Sequence, residues 1–349
     1  MLSYLHAFHA GNHADILKHA ALIQLLKKLN QKSAPYSFFD THAGSGLYST
    51  QGEKARKTGE AARGVLALAQ FAEQETDASL RSGGALPAAI KDYLAFVRPY
   101  LARDLYPGSP LIERAFLRPG DAHTICELHP AEYEALKENC ARDFGLSTAN
   151  GSRPKSAAAS SGPSAVPHTQ ILKADGFKTL LAQTPPKIKR GAALIDPSYE
   201  EAADYDAVAK TVIAVHKKWS VGIIMVWYPL LAHRAAEIEK MIESICAAAK
   251  IQNANTNILR ADFCVDTAQS HTEMSLKENA AAKAAAAGTS NALGSTNARG
   301  TANAPRLYGS GILVVNSPWK LDQELDEALK YLSRVPGLAT EPSYTVELL

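Results

Sequence analysis

Short apolar runs alternate along this chain with segments whose apolar residues recur at helical spacing. The runs at 36–40, 123–128, 169–172, 192–196, 221–227, 257–265 and 311–316 have strand length and are punctuated by turn-forming residues, which reads as seven strands. After Asp15, Leu22, Leu25, Leu26 and Leu29 fall at i, i+3, i+4 and i+7 while Lys27 and Lys28 face outward, which predicts the first helix. Strands alternating with helices predict an α/β fold, a mostly parallel sheet joined by crossover helices.

Three stretches depart from that alternation. Residues 52–106 keep a helical period, as in AIKDYLAFVRPYL, and are too long for a simple crossover loop, so an inserted helical subdomain is expected there. Residues 147–167 and 277–305 are built from Ser, Ala, Gly, Pro, Asn and Thr without a hydrophobic period, and both read as flexible loop insertions.

Composition narrows the class. With 349 residues, 46% apolar and 21% charged, the chain can bury a full core, as one large domain with insertions or as two small ones. The longest apolar run, broken by Pro229, falls short of the ~20 residues of a membrane span, and the opening residues lack the form of a secretory signal. Cys126, Cys140, Cys246 and Cys264 form no C-x-x-C pair, which suits reduced thiols in a cytoplasm. A net charge of +2 neither demands nor excludes a nucleic-acid partner, so that question passes to the site.

Candidate chemistry gathers at strand ends. FFDTHAGSG places Asp40 at the end of the first strand with Gly44 and Gly46 just beyond, either a plain turn or a backbone approach to a ligand. HTICELHP puts Glu127 after the second strand, where a carboxylate can take both hydroxyls of a ribose, and KADGF puts Asp175 and Gly176 after the third. A nicotinamide cofactor would share the ribose carboxylate but wants a glycine turn leading directly into a helix. Here the turn runs into Leu47 and the long insertion, which favours S-adenosylmethionine.

LIDPSYE follows the fourth strand. The Asp196 carboxylate and the Pro197 carbonyl can accept the two protons of a planar base amine, and Tyr199 offers a face on which a flipped base can stack. The alternative is an Asp-Pro turn with a partly buried tyrosine. A second stretch, Asn316-Ser317-Pro318-Trp319, has similar chemistry but follows the last strand and lacks a proline directly after Asn316, so it reads as a structural turn.

MLSYLHAFHAGNHADILKH, FDTHAGSGLY, KTGE, YPGSPLI, ELHP, KADGF, LIDPSYE, WYP and NSPWK, in that order, resemble the RlmJ-type 23S rRNA (adenine-N6)-methyltransferases across nearly the whole chain outside the two low-complexity loops. The resemblance implies one methyltransferase domain over 1–349 with a Rossmann-like class I S-adenosylmethionine-dependent methyltransferase fold. It also implies a helical insertion, S-adenosylmethionine as donor and an adenine of 23S rRNA as acceptor. It implies further that Lys18, His19, His42, Ser109, Glu127, Asp175 and Gly176 line the cofactor site, that Asp196 is catalytic, and that Tyr4 contacts substrate with His6 beside it. A cytoplasmic enzyme acting as a monomer, without metal or membrane, is the corresponding expectation.

Several of these residues have plainer alternatives. Ser109 before Pro110 has the form of a helix N-cap, Lys18 can be a solvated helix position, and Trp227-Tyr228-Pro229 can line a base pocket or pack into the core. His6, His9, His13 and His19 lack cysteine partners or a repeated ligand spacing, so no metal is expected. The family commonly has Asp-Pro-Pro-Tyr where this chain has Ser198, a change that touches loop rigidity rather than chemistry. A DNA adenine-N6 methyltransferase and a noncatalytic RNA-binding protein of the same fold are the competing functions.

Overall fold

The computed structural model describes residues 6–82, 85–149, 168–268 and 307–349. A 3₁₀ turn, His6–Phe8, leads into α1, His13–Asn30, which starts two residues before Asp15 because the Asn12 side chain accepts the Asp15 amide and caps it. β1 is Ser37–Asp40, and β2, Leu47–Ser49, pairs antiparallel with β3, Leu105–Pro107. Between β2 and β3 the chain is helical: α2, Glu53–Thr58; a π-turn, Ala62–Leu66; α3, Ala67–Ser82; and α4, Ala88–Leu101.

The remainder alternates. It comprises α5 (Ser109–Phe116), β4 (Ala122–Cys126), α6 (Pro130–Ala149), β5 (His168–Leu172), α7 (Gly176–Gln183), β6 (Gly191–Ile195), α8 (Ala202–Lys218) and β7 (Ile223–Leu230). There follow α9 (Ala235–Gln252), β8 (Ile258–Cys264), β9 (Gly309–Val315), α10 (Leu321–Leu332) and β10 (Ser343–Leu348). Most of residues 147–167 and all of 277–305, read above as flexible loops, lie outside the described residues.

The main sheet runs β5-β4-β1-β6-β7-β9-β8-β10. The five strands β5, β4, β1, β6 and β7 are parallel, while β9 enters antiparallel between β7 and β8. The seven strands from β5 to β8, with β9 reversed between β7 and β8, have the class I methyltransferase arrangement, and β10 is added antiparallel at the β8 edge. The sheet has eight strands rather than the expected seven. The eighth, β10, is an edge strand with Tyr344 and Val346 turned to the core and Ser343 and Glu347 exposed, so only half of it carries an apolar signal.

From β1 the chain moves outward in one direction to β4 and β5, and from β6 in the other to β7. Right-handed crossovers in opposite directions put α5 and α6 on one face and α8 on the other, with α7 and α9 packing beside α8. The order reverses between β1 and β6, and the crevice beyond their carboxyl ends is where open α/β sheets bind ligands. α1 packs against β9, α4, α5 and α10, and is buried continuously from Ala14 to Leu26. Three of its buried residues, Asp15, Lys18 and His19, are ionisable, an expensive placement unless they are paired.

Candidate active site

At the end of β1 the chain turns sharply through Gly44, whose φ of +59° suits glycine, so its amide can face the neighbouring strand end. That amide donates to Glu127 Oε2 at 2.8 Å, while Glu127 Oε1 accepts the His129 amide at 2.7 Å. Glu127 is thereby held half-buried at the end of β4; burial raises its carboxyl above the usual range against the pull of those two amides.

After β5, Asp175 caps α7 by accepting the Lys178 amide at 3.1 Å, and although burial opposes it, this bond and the Lys178 ammonium lower its carboxyl. Gly176 follows where a Cβ would stand 2.0 Å from the Thr41 carbonyl oxygen, so this approach of α7 to the β1 turn needs glycine. His42 packs edge-on to Phe177, and burial drops its imidazole to about 4, leaving it neutral at pH 7.

Asp40 organises the same turn from below. Its Oδ1 accepts the His42 amide and its Oδ2 the Ser109 hydroxyl at 2.8 Å. The sequence reading of Ser109 as N-cap of α5 is therefore corrected. Gly108 occupies the cap and Ser109 is the first helical residue, because its hydroxyl is committed to the buried Asp40. Beneath lies Glu113, 0% exposed, bonded to His123 at 2.8 Å; burial lifts its carboxyl to about 8 and drops His123 to about 3.

A second cluster is built from α1 and the end of β6. Lys18 Nζ lies 2.7 Å from Asp196 Oδ2 and 2.9 Å from Asp15 Oδ1, and 5.7 Å from the centre of the Trp227 ring. Asp15 Oδ2 accepts His6 Nε2 at 2.9 Å and the Gly11 amide at 2.8 Å. Burial opposes every charge in this cluster. For Asp15 it is outweighed by His6 and Lys18, which hold the carboxyl well below its usual range, and for Lys18 by the two carboxylates, which hold the ammonium well above. For Asp196 burial prevails over Lys18 and the carboxyl is raised. Among the described residues Lys18 engages only Oδ2 of Asp196, so Oδ1 is available to a substrate.

Tyr199 departs from the expected base-stacking face. It is 4% exposed, its hydroxyl donates to the Trp227 carbonyl at 2.8 Å, and its ring packs against Tyr205 at 4.7 Å. With φ of +49° it sits in the left-handed region, costly for a residue with a side chain and sustained here by that buried bond and packing. Tyr199 thus braces the turn from within the core. Pro197 is buried beside Asp196.

Of the residues named from the sequence for the cofactor, Glu127, Asp175, Gly176, His42 and Ser109 gather at the ends of β4, β5 and β1, whereas Lys18, named with them, pairs instead with Asp196 at the end of β6, near His6. His19, buried one helical position after Lys18, places Nδ1 2.8 Å from the Tyr106 hydroxyl, and burial drops its imidazole to about 3. Tyr4 lies outside the described residues. Asn316-Ser317-Pro318-Trp319 follows the antiparallel β9 and so lies beyond the amino end of β7, at the opposite end of the strands, where Asn316 Nδ2 bonds the carbonyls of Ser220 and Gly222. Tyr228 points into the core, bonding Asp262 at 2.5 Å, whereas Trp227 faces Lys18.

Sequence reasoning missed Asp15, Glu113 and the bond from Asp40 to Ser109. Asp15 had a signal, its spacing of three and four residues from Lys18 and His19 on one helix face. Glu113 had none, because its partners come from other elements.

The family model described as ribosomal RNA large subunit methyltransferase D, RlmJ, matches residues 33–165 and 163–278. The ribosomal RNA large subunit methyltransferase J of Escherichia coli (strain K12) is 31% identical over 335 residues, covering 95% of this chain and 93% of that one. The protein of the same name from Haemophilus influenzae is 30% identical over 353 residues, covering 99% and 98%. A crystal structure from Legionella pneumophila shares the fold, with a TM-score of 0.69 at 23% identity over 97% of this chain and 98% of that one.

Proposed function

The chain belongs to the RlmJ family of ribosomal RNA large subunit methyltransferases, and from that membership we propose that it methylates the exocyclic N6 amine of an adenine in 23S rRNA, with S-adenosylmethionine as donor. The observation that carries the reading is the position of Asp196. It lies at the reversal point of the sheet, partly exposed, with one oxygen held by Lys18 and the other available.

The residues fit the donor. Glu127, steadied by two backbone amides, presents a carboxylate for the ribose hydroxyls, and His42 and Asp175 border the same turn. His19, as buried as Asp15, has Nδ1 on the Tyr106 hydroxyl and Nε2 4.0 Å from Asp15 Oδ1, so it braces α1 beneath the site rather than presenting an atom to the donor. When bound, the sulfonium supplies an electrophilic methyl group.

The chain's own residues then act on the amine. Asp196 Oδ1 and the Pro197 carbonyl accept its two protons as hydrogen bonds, which draws onto nitrogen a lone pair otherwise delocalised into the ring. With a donor bound, the methyl–sulfur bond would break as the N–C bond forms, leaving a neutral thioether, and the nitrogen would shed one proton to Asp196, whose carboxyl burial raises. His6 lies beside the base, and Tyr199 supports the turn from below.

The test is methyl incorporation from labelled donor into protein-free 23S rRNA, duplex DNA and single-stranded DNA, with Asp196→Ala in parallel. Transfer to rRNA that Asp196→Ala abolishes, with donor affinity kept within a few-fold, is the expected result. Transfer to DNA alone would refute the assignment, and donor binding without transfer to any substrate would point to a noncatalytic protein.

A further inference from the structure

Asp15 is 1% exposed and cannot touch a substrate, yet each of its oxygens holds a different residue of the acceptor side. Oδ1 lies 2.9 Å from Lys18 Nζ, and Oδ2 lies 2.9 Å from His6 Nε2 and 2.8 Å from the Gly11 amide. Its own amide is fixed by the Asn12 cap at 3.0 Å. Bonded on all these sides, the carboxylate has one orientation. The two side chains it holds are those that border Asp196.

We propose that Asp15 is a positioning residue for methyl transfer, which sets the placement of Lys18 and His6 and divides the Lys18 ammonium between two carboxylates so that Asp196 keeps its capacity to accept a proton. This rests on the reading of Asp196 as the acceptor of the amine proton.

An ammonium has three donors and no acceptor, and in a dry site it pairs as tightly as geometry allows. With Asp15 on one side at 2.9 Å and Asp196 on the other at 2.7 Å, neither carboxylate has the full charge of Lys18. Without the Asp15 charge, Lys18 pairs with Asp196 alone, and Asp196 becomes a weaker hydrogen-bond acceptor and a weaker base. His6 Nε2 and the Gly11 amide share Oδ2, so an amide oxygen in that place keeps both bonds, with the His6 ring 4.9 Å from that of Tyr48, and the change falls on the charge.

Asp15→Asn separates this role from mere support of the fold, since the amide oxygen still accepts from Gly11 while the charge is gone. The charged and titratable groups around Asp196 are Lys18 and Asp15 of α1, His6 of the N-terminal turn, Asp40 of β1 and Tyr199 of its own turn. Asp15 raises the Asp196 carboxyl, and Lys18 lowers it. Removing the Asp15 charge and leaving Lys18 to Asp196 therefore act in the same direction. The acid limb of the single-turnover rate against pH moves to lower pH in the variant, an effect that simple loss of folded protein does not produce.

Single-turnover methylation across pH, with calorimetric titration of S-adenosylmethionine, reads the result. The expected outcome is a rate about 10- to 100-fold lower at neutral pH, donor affinity within about threefold, and the displaced acid limb. A folded variant with wild-type rate and limb, or one that loses donor affinity with rate, overturns the inference. If Asp15→Asn does not fold, Asp15→Glu carries the test. It keeps the charge but displaces it by a methylene, so a rate about tenfold lower with the acid limb unmoved supports the inference, and a wild-type rate overturns it. Asp196→Ala run alongside separates the two readings. Methyl transfer by that variant sinks the role of Asp196, whereas an inert Asp196→Ala beside a wild-type-like Asp15→Asn sinks only the role of Asp15.

Discussion

Replacing Lys18 by methionine probes the buried charges directly. The side chain is 5% exposed and methionine fills nearly the same volume, so packing changes little and the loss is electrostatic. Two ion pairs, at 2.9 and 2.7 Å, disappear and leave Asp15 and Asp196 without their shared lysine, while His6 stays bonded to Asp15 Oδ2 at 2.9 Å. Breaking a buried pair by removing one partner costs about 3–5 kcal/mol. Asp15, 2% exposed at its side chain, carries most of that cost, because Asp196 at 14% can still reach water.

The pH dependence has a definite sign. Lys18 is raised above its ordinary value, so its stabilisation is complete below about pH 10 and does not vary near neutrality. Asp15 is depressed in the native protein, so its contribution is present above about pH 4 and disappears only as pH falls through its still lower folded value. In the variant the lysine is gone and burial pushes the carboxyl upward. The native variant then takes up a proton at a pH where the unfolded chain does not, and the gap to wild type narrows as pH falls from neutrality toward the ordinary carboxylate range. Urea denaturation of both proteins across that range measures it. A gap below about 1 kcal/mol at pH 7 would mean that Lys18 behaves as a surface cation, and a gap that is constant with pH would mean that buried carboxylates are not its source.

Glu127→Ala should weaken S-adenosylmethionine binding by about 1.5–3 kcal/mol, roughly 10- to 150-fold, as hydrogen bonds to a charged acceptor are lost; unchanged affinity in a calorimetric titration would remove Glu127 from the ribose. Tyr199→Phe deletes the 2.8 Å bond to the Trp227 carbonyl and should lower stability by about 1–2 kcal/mol while methyl transfer stays within a few-fold. Lost transfer at unchanged stability would return Tyr199 to the substrate.

The layered α/β plan and the residues at its strand ends are legible along the chain. Asp40, Glu127, Asp175 and Asp196 stand at or within three residues of the ends of short apolar runs, and a run of strand length followed by an acid is a local pattern that burial and turn chemistry write into neighbouring residues. What those residues face is set by the packing of distant elements. The insertion of β9 between β7 and β8 depends on pairing between segments distant in the chain, and β10 carries half an apolar face because it lies at the edge. Lys18 and Asp196 are 178 positions apart, and nothing local to either distinguishes a solvated lysine from one locked between two carboxylates. Tyr199 looked like an exposed aromatic because its spacing from Asp196 is visible in the chain, whereas its burial comes from Tyr205 and the Trp227 carbonyl on other elements. Periodicity and turn chemistry act over a few residues, so they are legible in order along the chain. The partner of a buried charge is set by which elements pack together, here α1 against the sheet with its lysine reaching the end of β6, and that is a property of the folded molecule.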